Sequence, residues 1–307
     1  MMRALLENTF KKMKQGTEYL NYGRDIIADW GARFLLENGG GIVFDTGCGH
    51  GDDLLGIRRR FVELGGDASS LRLTGVEGYE PFAEECRASG IETFDLDIER
   101  DPLPFPDATV DLIVTNQVLE HTKEIFWIMS EYARILKPGG CLIIGVPNLA
   151  SLHNRLLLLV GLHPTAQQSL SAHVRSFTLP DLKKFTETGG FFTFVARRGS
   201  NFYPFPPIIS RPLARLFPSM AWGLFAQFRR TDRTGSFLSC LEGEENFLET
   251  PFYGGPQRPA RVPLKETTGR LSTVTERKVA VSHATAVPAR PSAKKSAKKT
   301  AKKTLNR

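Results

Sequence analysis

Residues 42–53, IVFDTGCGHGDD, place a short β-branched and aromatic run directly before an aspartate, three alternating glycines and a pair of acids. Such a run fits a buried strand, and the glycines let the backbone turn sharply and let a ligand approach without meeting a Cβ atom. Apolar runs and helical stripes then alternate along the chain. Leu54 to Leu64 predicts a helix closed by Gly65 and Gly66, Leu71 to Glu77 a strand, Pro81 to Gly90 a helix, and Ile91 to Phe94 a strand. A Pro-rich loop leads to the strand Val110 to Thr115, a helix over Lys123 to Leu136 and the apolar strand Cys141 to Val146. Before all of these, Ile26, Ile27, Trp30 and Phe34 recur at helical spacing within Tyr19 to Phe34. Strands and helices alternating at this interval predict an α/β fold, a doubly wound, mostly parallel sheet covered on both faces. Ligands of such sheets bind beyond the carboxyl ends of the strands.

The GxGxG spacing puts Asp52 and Asp53 where a dinucleotide fingerprint wants its third glycine. A pyrophosphate at that helix N-terminus would meet two carboxylates and be repelled, which argues against an NAD-dependent oxidoreductase and favours a positively charged or zwitterionic ligand. Glu77, ending the second strand, is placed to accept hydrogen bonds from two vicinal ribose hydroxyls, and Asp95 or Asp97 after the third could receive an adenine amino group. Ribose and adenine without phosphate describe a nucleoside.

With VFDTGCGHGD, GVEGYE, LDIERDPLPFPDATVDLIVTNQVLEHT and LKPGGCLIIGVPN in this order, the chain resembles the class I S-adenosylmethionine-dependent methyltransferases of the small-molecule, type 11 kind, over about residues 15 to 200. The resemblance implies a seven-stranded Rossmann-like sheet, S-adenosyl-L-methionine as cofactor, and methyl transfer to a small-molecule acceptor. With the apolar segment 202–230, which would suit a lipid-like acceptor, the expected reaction is transfer to a small-molecule or lipid-like acceptor at oxygen. It assigns Asp45, Gly47 and Gly49 to the methionine end, Glu77 to the ribose, and Asp97 with Ile98 to the adenine. Asn116, ending the fourth strand, joins the cofactor set. An antiparallel hairpin would complete the sheet, and Phe191 to Val195 with Phe237 to Leu241 are its candidate strands. His121 and His173 fall on the acceptor side, as general base or as hydrogen-bonding walls of the pocket. In similar quinone O-methyltransferases an acidic cluster near His121 holds a metal, but Gln117 replaces one acid of that pattern, so no metal is expected. Thr115-Asn116-Gln117-Val118 also lacks the Asn-Pro-Pro-aromatic arrangement that grips a nucleobase. Thr178 and Asp181 form a capping-box-like start for a helix. Cys48 fits its loop as a small residue without a partner base, and His50 as a loop residue whose imidazole would make a sulfonium site pH-sensitive.

Residues 202–230 combine five prolines with Leu213, Leu216, Phe217, Met220, Leu224 and Phe228 at helical spacing, flanked by Arg211, Arg215, Arg229 and Arg230. The segment reads either as an apolar lid packed on its own domain or as an interfacial membrane contact.

Charge separates the chain into two parts. Its formal net charge is +7, yet residues 288–307 hold eight Lys or Arg and no acid, leaving 32 basic against 33 acidic residues in the remainder. No Phe, Trp or Tyr occurs after Tyr253. The reading is therefore a methyltransferase domain over 1–255 and a disordered linker and Lys/Ala-rich tail over 256–307. The tail is expected to act as an electrostatic tether to nucleic acid or an anionic membrane surface, or as a solubilising extension. A non-catalytic scaffold carried by such a tail is the rival to an enzyme. Four cysteines without CxxC spacing suggest neither zinc nor a disulfide framework. With no apolar run of signal-peptide or membrane-span length, a cytoplasmic protein, peripheral to the membrane at most, is expected.

Overall fold

The computed structural model describes residues 23–167, 169–203, 205–242 and 251–256. By its contacts the chain divides into Met1–Pro259 and Ala260–Arg307, and the expected disordered tail lies outside the described residues. Seven strands form one sheet in the order β3-β2-β1-β4-β5-β7-β6. They are β1 (Gly41–Asp45), β2 (Leu71–Val76), β3 (Glu92–Phe94), β4 (Val110–Asn116), β5 (Leu136–Pro147), β6 (Phe192–Ser200) and β7 (Gly223–Arg230). The first five run parallel, and β7 is antiparallel to both β5 and β6.

The helices are α1 (Arg24–Glu37), α2 (Asp52–Glu63), α3 (Glu80–Ala88), α4 (Ile125–Ile135), α5 (Leu152–Leu159), α6 (Leu179–Glu187) and α7 (Pro207–Leu216). Because successive side chains of a strand point to opposite faces, a sheet covered on both sides needs apolar residues at every position. On β4, Val110 and Ile113 enter the cluster built with Ile128 and Tyr132 of α4 and Leu182 of α6, while Leu112 and Val114 enter that of Ile27 and Trp30 of α1 and Ile57 of α2. Each fully buried side chain of this size contributes roughly 1.5–3 kcal/mol. A third, smaller cluster of Phe202, Ala214 and Ala221, with Leu152 and Leu213 against it, joins α5 to α7 beyond the end of β5.

The hairpin departs from the sequence reading. Phe192–Ser200 is longer than expected, and its partner is Gly223–Arg230, whereas Phe237–Leu241 forms a 3-10 helix whose Phe237 plugs the core beside Phe191. Leu224 and Phe228 therefore lie on a strand and not on the helical stripe. A spacing of four is common to both periods: residues i and i+4 share one face of a helix and one face of a strand. The helical part of 202–230 is confined to Pro207–Leu216 and the 3-10 turn Pro218–Met220.

Candidate active site

Chain direction across the sheet reverses between β1 and β4, and loops leaving their carboxyl ends diverge there and open a crevice. A cleft of about 560 Å³ occupies this position, floored by Gly47 to His50 after β1 and walled by Asn116, Gln117, Glu120 and His121 after β4.

The glycine loop is held at both ends. Asp45, 2% exposed, accepts a hydrogen bond from the Gly47 N–H at 3.1 Å, and the Thr46 and Cys48 amides bond to the carbonyls of Val114 and Val76 on the flanking strands. Gly49 has φ +51° with open space where a Cβ would point, so a ligand can approach its backbone. Gly51 has φ +79°, and a Cβ there would come within 2.5 Å of Ile91, which fixes how α2 departs. Burial holds the Asp45 carboxyl well above its ordinary range, with the nearby Asp53 acting in the same direction. Asp53, itself buried, is raised by burial and accepts a hydrogen bond from Asn116 Nδ2 at 2.9 Å. Arg24 pairs with Asp52 at 2.9 Å across the start of α2. Asn116 Oδ1 is buried without a partner among the described residues.

Gln117 sits in the left-handed region at φ +57°, a strained setting that turns the chain sharply from β4 into the 3-10 turn Leu119–His121. Segment 171–175 docks onto this turn. The Glu120 carbonyl accepts from the amides of Val174 and Arg175, Arg175 reaches the carbonyls of Thr122 and Lys123, and His121 Nδ1 lies 3.3 Å from the Ala172 carbonyl. The docking brings the rings of His121 and His173 edge to face, 4.6 Å between centroids. It also buries Glu120, 1% exposed, whose two carboxylate oxygens have no hydrogen-bond partner among the described residues. Burial pushes this carboxyl up to about 7. One ligand atom from each of Glu120, His121 and His173 lies within 4.8 Å of the others, a donor set that can share a proton, an acceptor hydroxyl or a divalent cation.

Of the residues expected from sequence, Gly47, Gly49, Asn116, His121 and His173 line the cleft. Asp45 stands behind the loop as its buttress. Glu77 and Asp97 follow β2 and β3 along the same edge, outside the cleft lining; Glu77 Oε1 accepts from the Tyr79 amide and Asp97 Oδ1 from the Glu99 amide. Ile98, half-buried, packs against the core near β3. His50 pairs with Glu85 at 2.7 Å on the rim, and the Cys48 sulfur lies 3.8 Å from that of Cys86, both cysteines being free. Sequence reasoning gave Glu120 no role, and it named Asp53 only as one of two acids at the start of α2. That Glu120 is buried beside segment 171–175, and that Asp53 is buried and bonded to Asn116, are facts of tertiary contact.

A family model described as a methyltransferase domain matches residues 19–192, more than half of the chain. This chain belongs to the class I S-adenosylmethionine-dependent methyltransferases. Within that family it is 28% identical over 153 residues to a probable S-adenosylmethionine-dependent methyltransferase of Mycolicibacterium smegmatis, covering 48% of this chain and 51% of the relative. It is 32% identical over 108 residues to a probable S-adenosylmethionine-dependent methyltransferase of Mycobacterium tuberculosis, covering 34% and 35%. A third relative, the 27-O-demethylrifamycin SV methyltransferase of Amycolatopsis mediterranei, is 27% identical over 136 residues, covering 41% and 47%. The methyltransferase domain thus spans about half the length, or less, of these curated relatives.

Proposed function

We propose that the chain binds S-adenosyl-L-methionine between the β1 loop and the β4 edge and directs its methyl group to a hydroxyl oxygen of a small-molecule or lipid-like acceptor. When bound, this cofactor supplies an electrophilic methyl group on a sulfonium. Supporting its placement are the open backbone at Gly49, the buried carboxyls of Asp45 and Asp53, which suit a cationic or zwitterionic end, and the unpartnered Asn116 Oδ1. Glu77 and Asp97, on the same edge, are assigned to the ribose and adenine.

The observation that carries the acceptor reading is Glu120. A carboxyl this buried with neither oxygen bonded is costly unless a ligand completes it. An acceptor hydroxyl does so by donating to one oxygen, and a carboxyl poised near neutrality then takes the hydroxyl proton as the oxygen attacks. His121 and His173 bracket the same point and fix the hydroxyl's direction. Proximity and alignment supply much of the rate in such an in-line displacement.

Calorimetry with S-adenosylhomocysteine and with NAD tests the cofactor: binding of the former and silence of the latter are expected, and the reverse overturns the assignment. Incubation with methyl-labelled cofactor and separated cell fractions tests the acceptor, label being expected in lipid or small molecules and not in nucleic acid. Glu120→Gln is expected to lower turnover by about 10²–10⁴, His121→Gln to lower it less, and both to leave S-adenosylhomocysteine affinity nearly unchanged. Activity should survive a chelator. Loss on chelation with recovery on adding a divalent cation would instead assign Glu120, His121 and His173 to a metal.

A further inference from the structure

The segments that follow β5 and precede β7 carry exposed apolar side chains. On and after α5, Leu156, Leu159 and Val160 are 55%, 81% and 67% exposed, and in the segment docked on the 3-10 turn Leu170 is fully exposed and Val174 63% exposed. On and after α7, Ile208, Leu216 and Phe217 are 84%, 71% and 51% exposed. The two helices do not hang loose, because Leu152 of α5 and Leu213 of α7 pack on the same small cluster. Leu170 and Val174 neighbour Ser171 and His173, which line the cleft. Whatever covers Leu170 and Val174 therefore sits beside the cleft.

Charge identifies the occupant. Residues 150–178 and 201–222, which hold α5, the docked segment and α7, contain Arg155, Arg175, Arg211 and Arg215 and no acid. Neither α5 nor α7, nor the loops beside them, carries a carboxylate, while Arg155, Arg211 and Arg215 are exposed there. Isolated apolar side chains on a surface need no explanation, but large exposed ones carried on segments with arginines and no acids of their own have the composition of an interfacial element, Arg215 alone also facing Asp25, Asp29, Asp52 and Glu63 of α1 and α2. Apolar tips enter the acyl boundary, and guanidinium groups reach lipid phosphates from long apolar stems. No described helix is long and apolar enough to cross a membrane, so the contact would be made at the surface.

We infer that the α5–α7 face docks on an anionic lipid bilayer and presents the cleft mouth to it. This inference is independent of the acceptor's identity, since it concerns where the domain sits and not what it methylates. Eight positive charges in residues 288–307 favour adsorption to an anionic surface as well, so the test must separate insertion from adsorption. The full chain and two variants, Leu159→Asp with Ile208→Asp, and Leu170→Asp alone, are compared on phosphatidylcholine vesicles with and without phosphatidylglycerol. Flotation is run at low salt and at about 0.5 M NaCl, where contacts of exposed charges are screened. The surface-pressure rise of a phosphatidylglycerol monolayer reads penetration directly. The expected result is residual binding of the parent chain at high salt, a pressure rise, and a loss of roughly tenfold or more in high-salt binding by the double variant. Leu170→Asp should show a smaller loss. S-adenosylhomocysteine affinity and the melting temperature should be unchanged throughout. Equal high-salt binding by parent and variants, or a parent chain that never raises the pressure, overturns the inference. A lowered melting temperature in the variants would show that the chain itself covers this face, and a monomer–dimer equilibrium abolished by the substitutions without vesicle binding would assign it to a second copy; either overturns the lipid assignment.

Discussion

The carboxyl of Glu120 titrates in a setting made by residues more than fifty positions away, and its linkage to stability has a definite sign. Its folded value is raised from 4.5 to about 7 by burial, so the folded chain binds the proton more tightly than the unfolded one. The stability from this group is fully present below about pH 4.5 and is lost as pH rises to about 7. The loss is on the order of 3 kcal/mol. Glu120→Gln cannot ionise, so the stability difference between variant and parent should grow in favour of the variant across that window; urea unfolding at a series of pH values measures it. A flat difference would place the carboxyl in contact with solvent. The parent's turnover should climb through about pH 7 as Glu120 ionises, a limb the variant lacks.

Among the elements, α4 links the core to the glycine loop. Its apolar face, with Ile128, Tyr132 and Ile135, is legible from spacing alone, but the bond that matters is not: the Tyr132 hydroxyl, fully buried, donates to Thr46 Oγ1 at 2.9 Å. Tyr132→Phe keeps the packing and removes this bond. The expected cost is about 1 kcal/mol in denaturant unfolding, together with weaker S-adenosylhomocysteine binding, because Thr46 is the residue between β1 and Gly47. Unchanged affinity at reduced stability would show the loop to be fixed by its backbone bonds alone. At α6, the sequence signal and the structure agree at the cap, where Thr178 Oγ1 accepts from the Asp181 amide. The hairpin shows the opposite case, since GLFAQFRR and the 3-10 segment FLSCL are both apolar and only their pairing partners distinguish them.

For the whole molecule, charge is distributed more sharply than fold. Removing residues 288–307 takes away eight positive charges and changes the formal net charge from +7 to −1. The described sheet and cleft contain none of these residues, so cofactor affinity and melting temperature should be retained. Binding to DNA and to anionic vesicles at low salt should fall, and the lost part should be the salt-sensitive part. A salt series with both chains measures this, and identical binding would leave the tail as a solubilising extension. Insertion by the α5–α7 face, being apolar, should persist in the truncated chain.

The alternation of apolar runs with helical stripes, the glycines after β1, and acids ending β2 and β3 determined the parallel α/β sheet, the edge assigned to the cofactor and the family resemblance. These are local signals: backbone period, turn chemistry and residues within a few positions of a strand end. Asp45, Gly47, Gly49 and Asn116 were legible for that reason. Tertiary structure alone decided the identity of β7, the burial of Glu120 and Asp53, and the meeting of His121 with His173. Each depends on segments far apart in sequence coming into contact, and burial, which turns an ordinary glutamate into a group poised near neutrality, is a property of that contact and not of the residue.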